Sequence, residues 1–228
     1  MPIAVVTGAD SGVGNAFAQI LLQEGYKVYA VDRQLGGGTK SLTHAVGVQL
    51  DTTSSESMKK FDDVFKDVTV DLYVHSTDRS VPLKKDTLET TDLQVFRQLF
   101  AVNTYAPMLV TQALIPCILR SESGKIAIVT SHLGSITDNS TGGLYAYRSS
   151  KAAGNAVGRA LAADLKDKNV PVLLLHPGSM KSRGTDEDLL TIQNPREIAT
   201  KLWQNVVRTK GMEGTGKFFD DDGRELPW

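Results

Sequence analysis

Tyr147 and Lys151 stand four residues apart in the stretch YAYRSSKAAGN (145–155). That spacing puts two side chains on one face of a helix, about one turn apart. An ammonium beside a phenol favours the phenolate, and a phenol of lowered pKa is a usable proton donor and acceptor. A surface tyrosine next to a solvated lysine has the same spacing, so the pair alone does not establish chemistry.

A second stretch with chemical potential is VVTGADSGVGNAF (5–17), in which Gly8, Gly12 and Gly14 fall between an apolar run and a helical pattern. Such glycines let the chain turn tightly and let a pyrophosphate approach backbone N–H groups at a helix N-terminus. Their spacing differs from G-x-G-x-x-G, so that fingerprint is not present. Asp32 ends the next apolar run. A carboxylate at that place accepts hydrogen bonds from an adenosine ribose and repels a 2′-phosphate. Arg33, immediately after it, could instead pair with that phosphate. NAD is therefore favoured over NADP, with both open.

The elements that must position these residues alternate along nearly the whole chain. The runs 3–6, 27–31, 46–50, 70–74, 125–130, 170–175 and 217–219 read as strands, most of them apolar on both faces, as in a parallel sheet covered on each side. Val13, Phe17, Ile20 and Leu21 keep helical spacing, as do Met58, Phe61, Val64 and Phe65. The segment 91–119 is helical in pattern with a break or kink expected at Pro107, and Asn194-Pro195 reads as the start of a further helix. Repeated βαβ units imply an α/β fold, a doubly wound, Rossmann-like parallel sheet with helices on both faces, and one domain over 1–228.

The totals narrow the classes. A net charge of -1 gives no electrostatic reason to expect nucleic acid or an anionic membrane. No apolar run approaches the roughly 20 residues that span a bilayer. The single Cys117 cannot form an internal disulfide. A cytoplasmic protein with no membrane or nucleic-acid partner is expected. His44, His75, His132 and His176 are far apart in sequence, with no metal-ligand pattern around them.

Taken together, the motifs resemble those of the short-chain dehydrogenase/reductase family. TGADSGVG (7–14) resembles its cofactor loop, AVN its catalytic asparagine at Asn103, IVTSHLGSI (128–136) the strand end bearing a catalytic serine at Ser131, YRSSK its tyrosine–lysine pair, and HPGSMKS (176–182) the segment that cradles a nicotinamide. GSITDNSTGGLYAYRSSKAAGN and DGRELPW resemble more narrowly the branch that holds the bacterial C-factor proteins and the insect carbonyl reductase sniffer.

The resemblance implies an NAD(P)-dependent oxidoreductase interconverting a small-molecule carbonyl and alcohol. Tyr147 would be the general acid/base. Lys151 would lower its pKa and hold the nicotinamide ribose, Ser131 would orient the substrate oxygen, and Asn103 would position a water that resupplies the proton. Around the cofactor it implies Gly8, Asp10, Ser11, Gly12, Val13 and Gly14 in the loop. It adds Asp32, Arg33 and Asp51 at the adenosine, and Ser76 and Thr77 beyond the fourth strand. Pro177, Gly178, Met180 and Ser182 follow at the nicotinamide. Ala152, Ala153 and Gly154 would keep the tyrosine helix thin against the sheet or a partner. Segments 104–120 and 146–167 correspond to the helices through which family members pair, which implies a homodimer or homotetramer.

One segment departs from the family. Where N-N-A-G is usual, this chain has His75-Ser76-Thr77-Asp78. His75 could still tie neighbouring strands, but Asp78 brings bulk and charge where glycine is expected, which puts cofactor affinity in question. His132 could line the pocket or serve a structural role. The stretch GTDEDLL (184–190) is either a short lid over an open pocket or a solvated loop. Two other readings stand beside the reductase: a cofactor-binding regulatory or scaffold protein with little turnover, and a pterin-type reductase.

Overall fold

The computed structural model describes residues 1–178, 180–182, 190–192 and 194–228. The N-terminal half alternates β1 (Ile3–Thr7), α1 (Gly12–Gln23), β2 (Lys27–Asp32), α2 (Gly37–Ser41), β3 (Val46–Gln49), α3 (Ser55–Phe65) and β4 (Leu72–His75). Helices α4 (Leu93–Phe100) and α5 (Ala106–Ile118) follow, then β5 (Lys125–Val129), α6 (Tyr145–Asp164) and β6 (Val172–Leu175). Two short strands, β7 (Met180–Ser182) and β8 (Leu190–Ile192), pair antiparallel before α7 (Pro195–Leu202) and β9 (Phe218–Phe219).

Seven strands form one parallel sheet in the order β3-β2-β1-β4-β5-β6-β9. Each corresponds to a run expected from sequence. The fourth begins at Leu72 instead of residue 70, because the N–H of Val70 is taken by the carbonyl of Cys117 at the end of α5.

Strand alternation sends successive side chains to opposite layers. Ala4 and Val6 join Phe17, Leu21, Leu202 and Trp203 on the α1/α7 side. Val5, Tyr73, Ile126 and Ile128 meet Phe61, Phe65, Val110 and Leu114 on the α3/α5 side. Both faces of the central strands are covered, so those strands are largely apolar, whereas three of the four residues of the edge strand β3 are exposed.

The irregularity expected at Pro107 lies just before it. Residues Ala101–Tyr105 form a π turn between α4 and α5. Pro107 has no N–H to give the carbonyl of residue 103, and the helical ladder widens there. Leu93–Ile118 is thereby one helical run, long and apolar enough by length and composition to cross a membrane, yet half of its most apolar window is buried within the fold. It is a core helix on the sheet: Val110, Leu114 and Ile118 are fully buried.

Candidate active site

The strand order reverses between β1 and β4, and doubly wound sheets bind ligands outside the carboxyl ends of the strands at that point. Thr7 and His75 are register partners there. The buried His75 Nδ1 lies 3.1 Å from Thr7 Oγ1 and 2.7 Å from the Tyr73 hydroxyl, so the histidine ties β4 to β1. Burial, aided by the Lys151 charge, pushes its pKa down to about 3, so the ring is neutral.

Gly8 has φ +69° and faces the backbone of Ser76, which a Cβ would strike at 2.7 Å. Gly14 likewise has no room for a side chain against Gly8. Gly12, at φ +56°, has open space before it. Above this turn lies a cavity of about 940 Å³ lined by Gly8, Ser11, Gly12 and Val13, by Asp32, Arg33 and Asp51, by Ser76, Thr77 and Asp78, and by Tyr147, Lys151 and Pro177. A volume of that order, with a glycine turn at a helix start and a carboxylate at the end of β2, fits a dinucleotide.

Asp10 does not line the cavity. Its carboxylate accepts the N–H and hydroxyl of Thr39 at 2.8 and 3.0 Å, contacts that hold its pKa down, and so it fixes α2 against the glycine turn. Its own N–H donates to Asp32 Oδ2 at 3.0 Å, which orients the β2 carboxylate. The Thr53 hydroxyl and N–H hold Asp51 below the usual carboxylate range, with help from Arg33.

At the other end of the cavity Tyr147 is 1% exposed, and Ser131, Asn103 and Lys151 are buried around it. Gly154 lets α6 lie against the π turn: a Cβ there would meet the Asn103 carbonyl at 2.7 Å. Asn103 holds a backbone segment. Its Oδ1 accepts the Arg79 N–H at 2.9 Å, and its Nδ2 donates to the Arg79 carbonyl at 2.9 Å and Ser150 Oγ at 3.0 Å.

That clamp carries Asp78 into the site. Lys151 Nζ pairs with Asp78 Oδ1 at 2.7 Å, and the Tyr147 hydroxyl lies 3.4 Å from each Asp78 oxygen. This corrects an expectation. Burial pushes the Tyr147 phenol well above its ordinary value, and the Asp78 charge and hydrogen bond push it further; the Ser131 hydroxyl pulls the other way. The Lys151 ammonium, 5.7 Å from the ring centroid, is held by the carboxylate it pairs with.

Sequence reasoning missed Asp86. This buried carboxylate accepts the N–H groups of Ala146 and Tyr147, both at 2.9 Å, and the Thr91 hydroxyl at 3.0 Å. It caps the first turn of α6 from a loop some 60 residues earlier, and no local pattern marks it. His132 packs edge-on against His176, with ring centroids 4.5 Å apart, and donates its backbone N–H to His176 Nδ1. Pro177 reaches the cavity, whereas Gly178 turns the chain at φ +79°. Met180 and Ser182 are described in backbone only, and the expected 184–190 lid lies outside the described residues except for Leu190. Among the described residues no cluster of metal-ligating side chains occurs.

A glycine turn at the switch point of a doubly wound sheet, facing a buried tyrosine, defines a dinucleotide-dependent oxidoreductase. A family model described as short chain dehydrogenase matches residues 2–191, and the chain belongs to that family. It is 32% identical over 235 residues, covering 100% of both chains, to the 1-hydroxy-2-glutathionyl-2-methyl-3-butene dehydrogenase of Rhodococcus sp. (strain AD45). A putative short-chain dehydrogenase/reductase from Burkholderia multivorans with bound NADP superposes with TM-score 0.86 at 25% identity, over 100% of this chain and 99% of that one. The putative carbonyl reductase sniffer of Caenorhabditis elegans superposes with TM-score 0.84 at 25% identity over 100% of both. The chain is an NAD(P)-dependent oxidoreductase.

Proposed function

We propose that the protein interconverts a small carbonyl compound and its alcohol, with Tyr147 as the general acid/base. The observation that carries this reading is the burial of Tyr147 beside Ser131 and Lys151, on the wall of the cavity that begins at the glycine turn. The nicotinamide, when bound, supplies or accepts the hydride.

The chain's own residues do the rest. Ser131, buried beside the phenol and acting to lower its pKa, would hold the substrate oxygen as an oxyanion donor does. Tyr147 gives its hydroxyl proton to that oxygen in reduction. Asp86 fixes the first turn of α6 and hence the place of the phenol. Gly8, Ser11, Gly12 and Val13 would hold the pyrophosphate, and Asp32 the adenosine ribose. Asp32 favours NADH, while Arg33 beside it offers charge to a 2′-phosphate. The Rhodococcus relative, named for a hydroxyl-bearing compound, supports an alcohol or carbonyl as substrate.

A second copy of the chain belongs to this reading. Tyr105 at the end of the π turn is 55% exposed, and Met108 and Leu109 on α5 are also exposed. Apolar residues of this size suit an isologous contact. The buried thiol of Cys117 suits a reducing cytoplasm. A cofactor-binding protein with little turnover remains the second reading, because the Asp78–Lys151 pair occupies the ammonium that a ribose would use.

The test is titration with NADH and NADPH by nicotinamide fluorescence, followed by a panel of aromatic and quinone carbonyls monitored by loss of nicotinamide absorbance. Binding with turnover of at least one carbonyl supports the reductase. Binding without turnover of any supports the second reading.

A further inference from the structure

We propose that Asp78 sets the direction of proton transfer in this site, keeping Tyr147 a proton donor by neutralising Lys151. The inference rests on the Tyr147-centred reading above and adds a residue where the family's pattern has glycine.

Asp78 touches both members of the pair, and Lys151 Nζ lies 5.7 Å from the centre of the Tyr147 ring. Asp78 Oδ1 is 2.7 Å from Lys151 Nζ, and both its oxygens are 3.4 Å from the Tyr147 hydroxyl. The lysine side chain is 4% exposed and the aspartate 38%, so the ammonium is buried with this carboxylate as its counter-ion. The arrangement is built in, because the Asn103 amide grips both the N–H and the carbonyl of the next residue, Arg79. A lysine beside a phenol stabilises phenolate only through its positive field. Here an opposite charge stands 3.4 Å from the hydroxyl and pairs directly with the ammonium, which opposes that field. The carboxylate is also an acceptor to which the phenol can donate only while protonated.

Among the described residues, the other groups around the hydroxyl do not reverse this. From the end of β4, His75 is neutral and Tyr73 is a buried phenol pushed well above its ordinary value. From beyond β5, the Ser131 hydroxyl favours phenolate as a neutral donor, and His132 and His176 behind it are pushed down by burial. From α6 itself, the Tyr147 backbone N–H already faces the Asp86 carboxylate. The Arg79 and Arg97 cations line the wider cavity.

In reduction the Tyr147 O–H bond would break and its proton would go to the substrate oxygen, while a reduced nicotinamide, when bound, would supply the hydride for the carbon. The phenolate left between Asp78 and Ser131 is strongly basic and takes a proton back from Lys151, which solvent replenishes. Oxidation must instead start from phenolate, the form Asp78 makes scarce. The overall equilibrium belongs to substrate and cofactor. Asp78 sets the fraction of enzyme poised for each direction at a given pH.

The experiment is a pH titration of the cofactor-free protein by NMR of ring-labelled tyrosine, with the Tyr147 resonance assigned by Tyr147→Phe. Asp78→Asn keeps the size and removes the charge, and Asp78→Gly serves if that variant does not fold. Tyr147 is expected to ionise about one pH unit or more lower in the variant. The alkaline limb of phenanthrenequinone reduction should move down with it. Coincident titrations, or Tyr147 protonated up to alkaline unfolding in both proteins, would overturn the proposal. A shifted titration in a protein that reduces no carbonyl would uphold the control of Tyr147 by Asp78 and overturn the reductase reading instead.

Discussion

The carboxylate of Asp86 accepts the backbone N–H of Tyr147 at 2.9 Å, and its other oxygen accepts that of Ala146 at the same distance. Two of the free donors of the α6 first turn are thus satisfied by a side chain from another part of the chain, a bond made stronger by the negative charge at a helix N-terminus. Asp86→Ala should therefore destabilise the fold by about 1–2 kcal/mol, as the loss of a helix cap does. Urea unfolding at neutral pH measures it. Asp86→Asn, which retains an acceptor, should cost less.

The sheet was legible because a parallel sheet buried on both faces writes itself as short apolar runs, and all seven runs became strands. The glycine turn and the Tyr147–Lys151 pair were legible because their spacing is local. Asp86 and the Asn103 grip on Arg79 were not, since each joins segments 24 or more residues apart through hydrogen bonds that no periodicity records. The departure at 75–78 was visible as a sequence oddity. Its consequence, a carboxylate neutralising Lys151, needed the three-dimensional path of the chain after β4.

Acid should weaken the fold through its buried histidines. Burial holds His75 and His176 at about 3, against 6.5 when exposed. A base with a lowered folded pKa stays neutral in the native state while the unfolded chain takes up protons. Stability is then full above the unfolded value and declines as pH falls from about 6.5 towards 3, by about 1.4 kcal/mol per pH unit for each histidine once the unfolded form is charged. Urea midpoints across that range should fall, and His75→Asn should flatten the slope.

Cofactor choice should follow Asp32. NADH is expected to bind more tightly than NADPH, and Asp32→Ala to narrow or reverse the difference, read by nicotinamide fluorescence. Equal affinities in the unaltered protein would mean that Arg33 offsets the carboxylate.

The exposed apolar residues Tyr105, Met108 and Leu109 should lie in a contact between copies. Sedimentation at micromolar concentration is expected to give a dimer or tetramer. Leu109→Glu should shift it toward monomer without altering the far-ultraviolet spectrum. Monomer alone in the unaltered protein would contradict the contact.

The central claim is that Tyr147 transfers the proton, and Tyr147→Phe tests it most directly because it removes the hydroxyl and keeps the buried ring. With a carbonyl that the unaltered protein reduces, the variant should lose on the order of a hundredfold or more in kcat, as loss of a general acid does. Its Kd for NAD(P)H should change only a few-fold. Turnover by the variant within a few-fold of the unaltered protein would contradict the account.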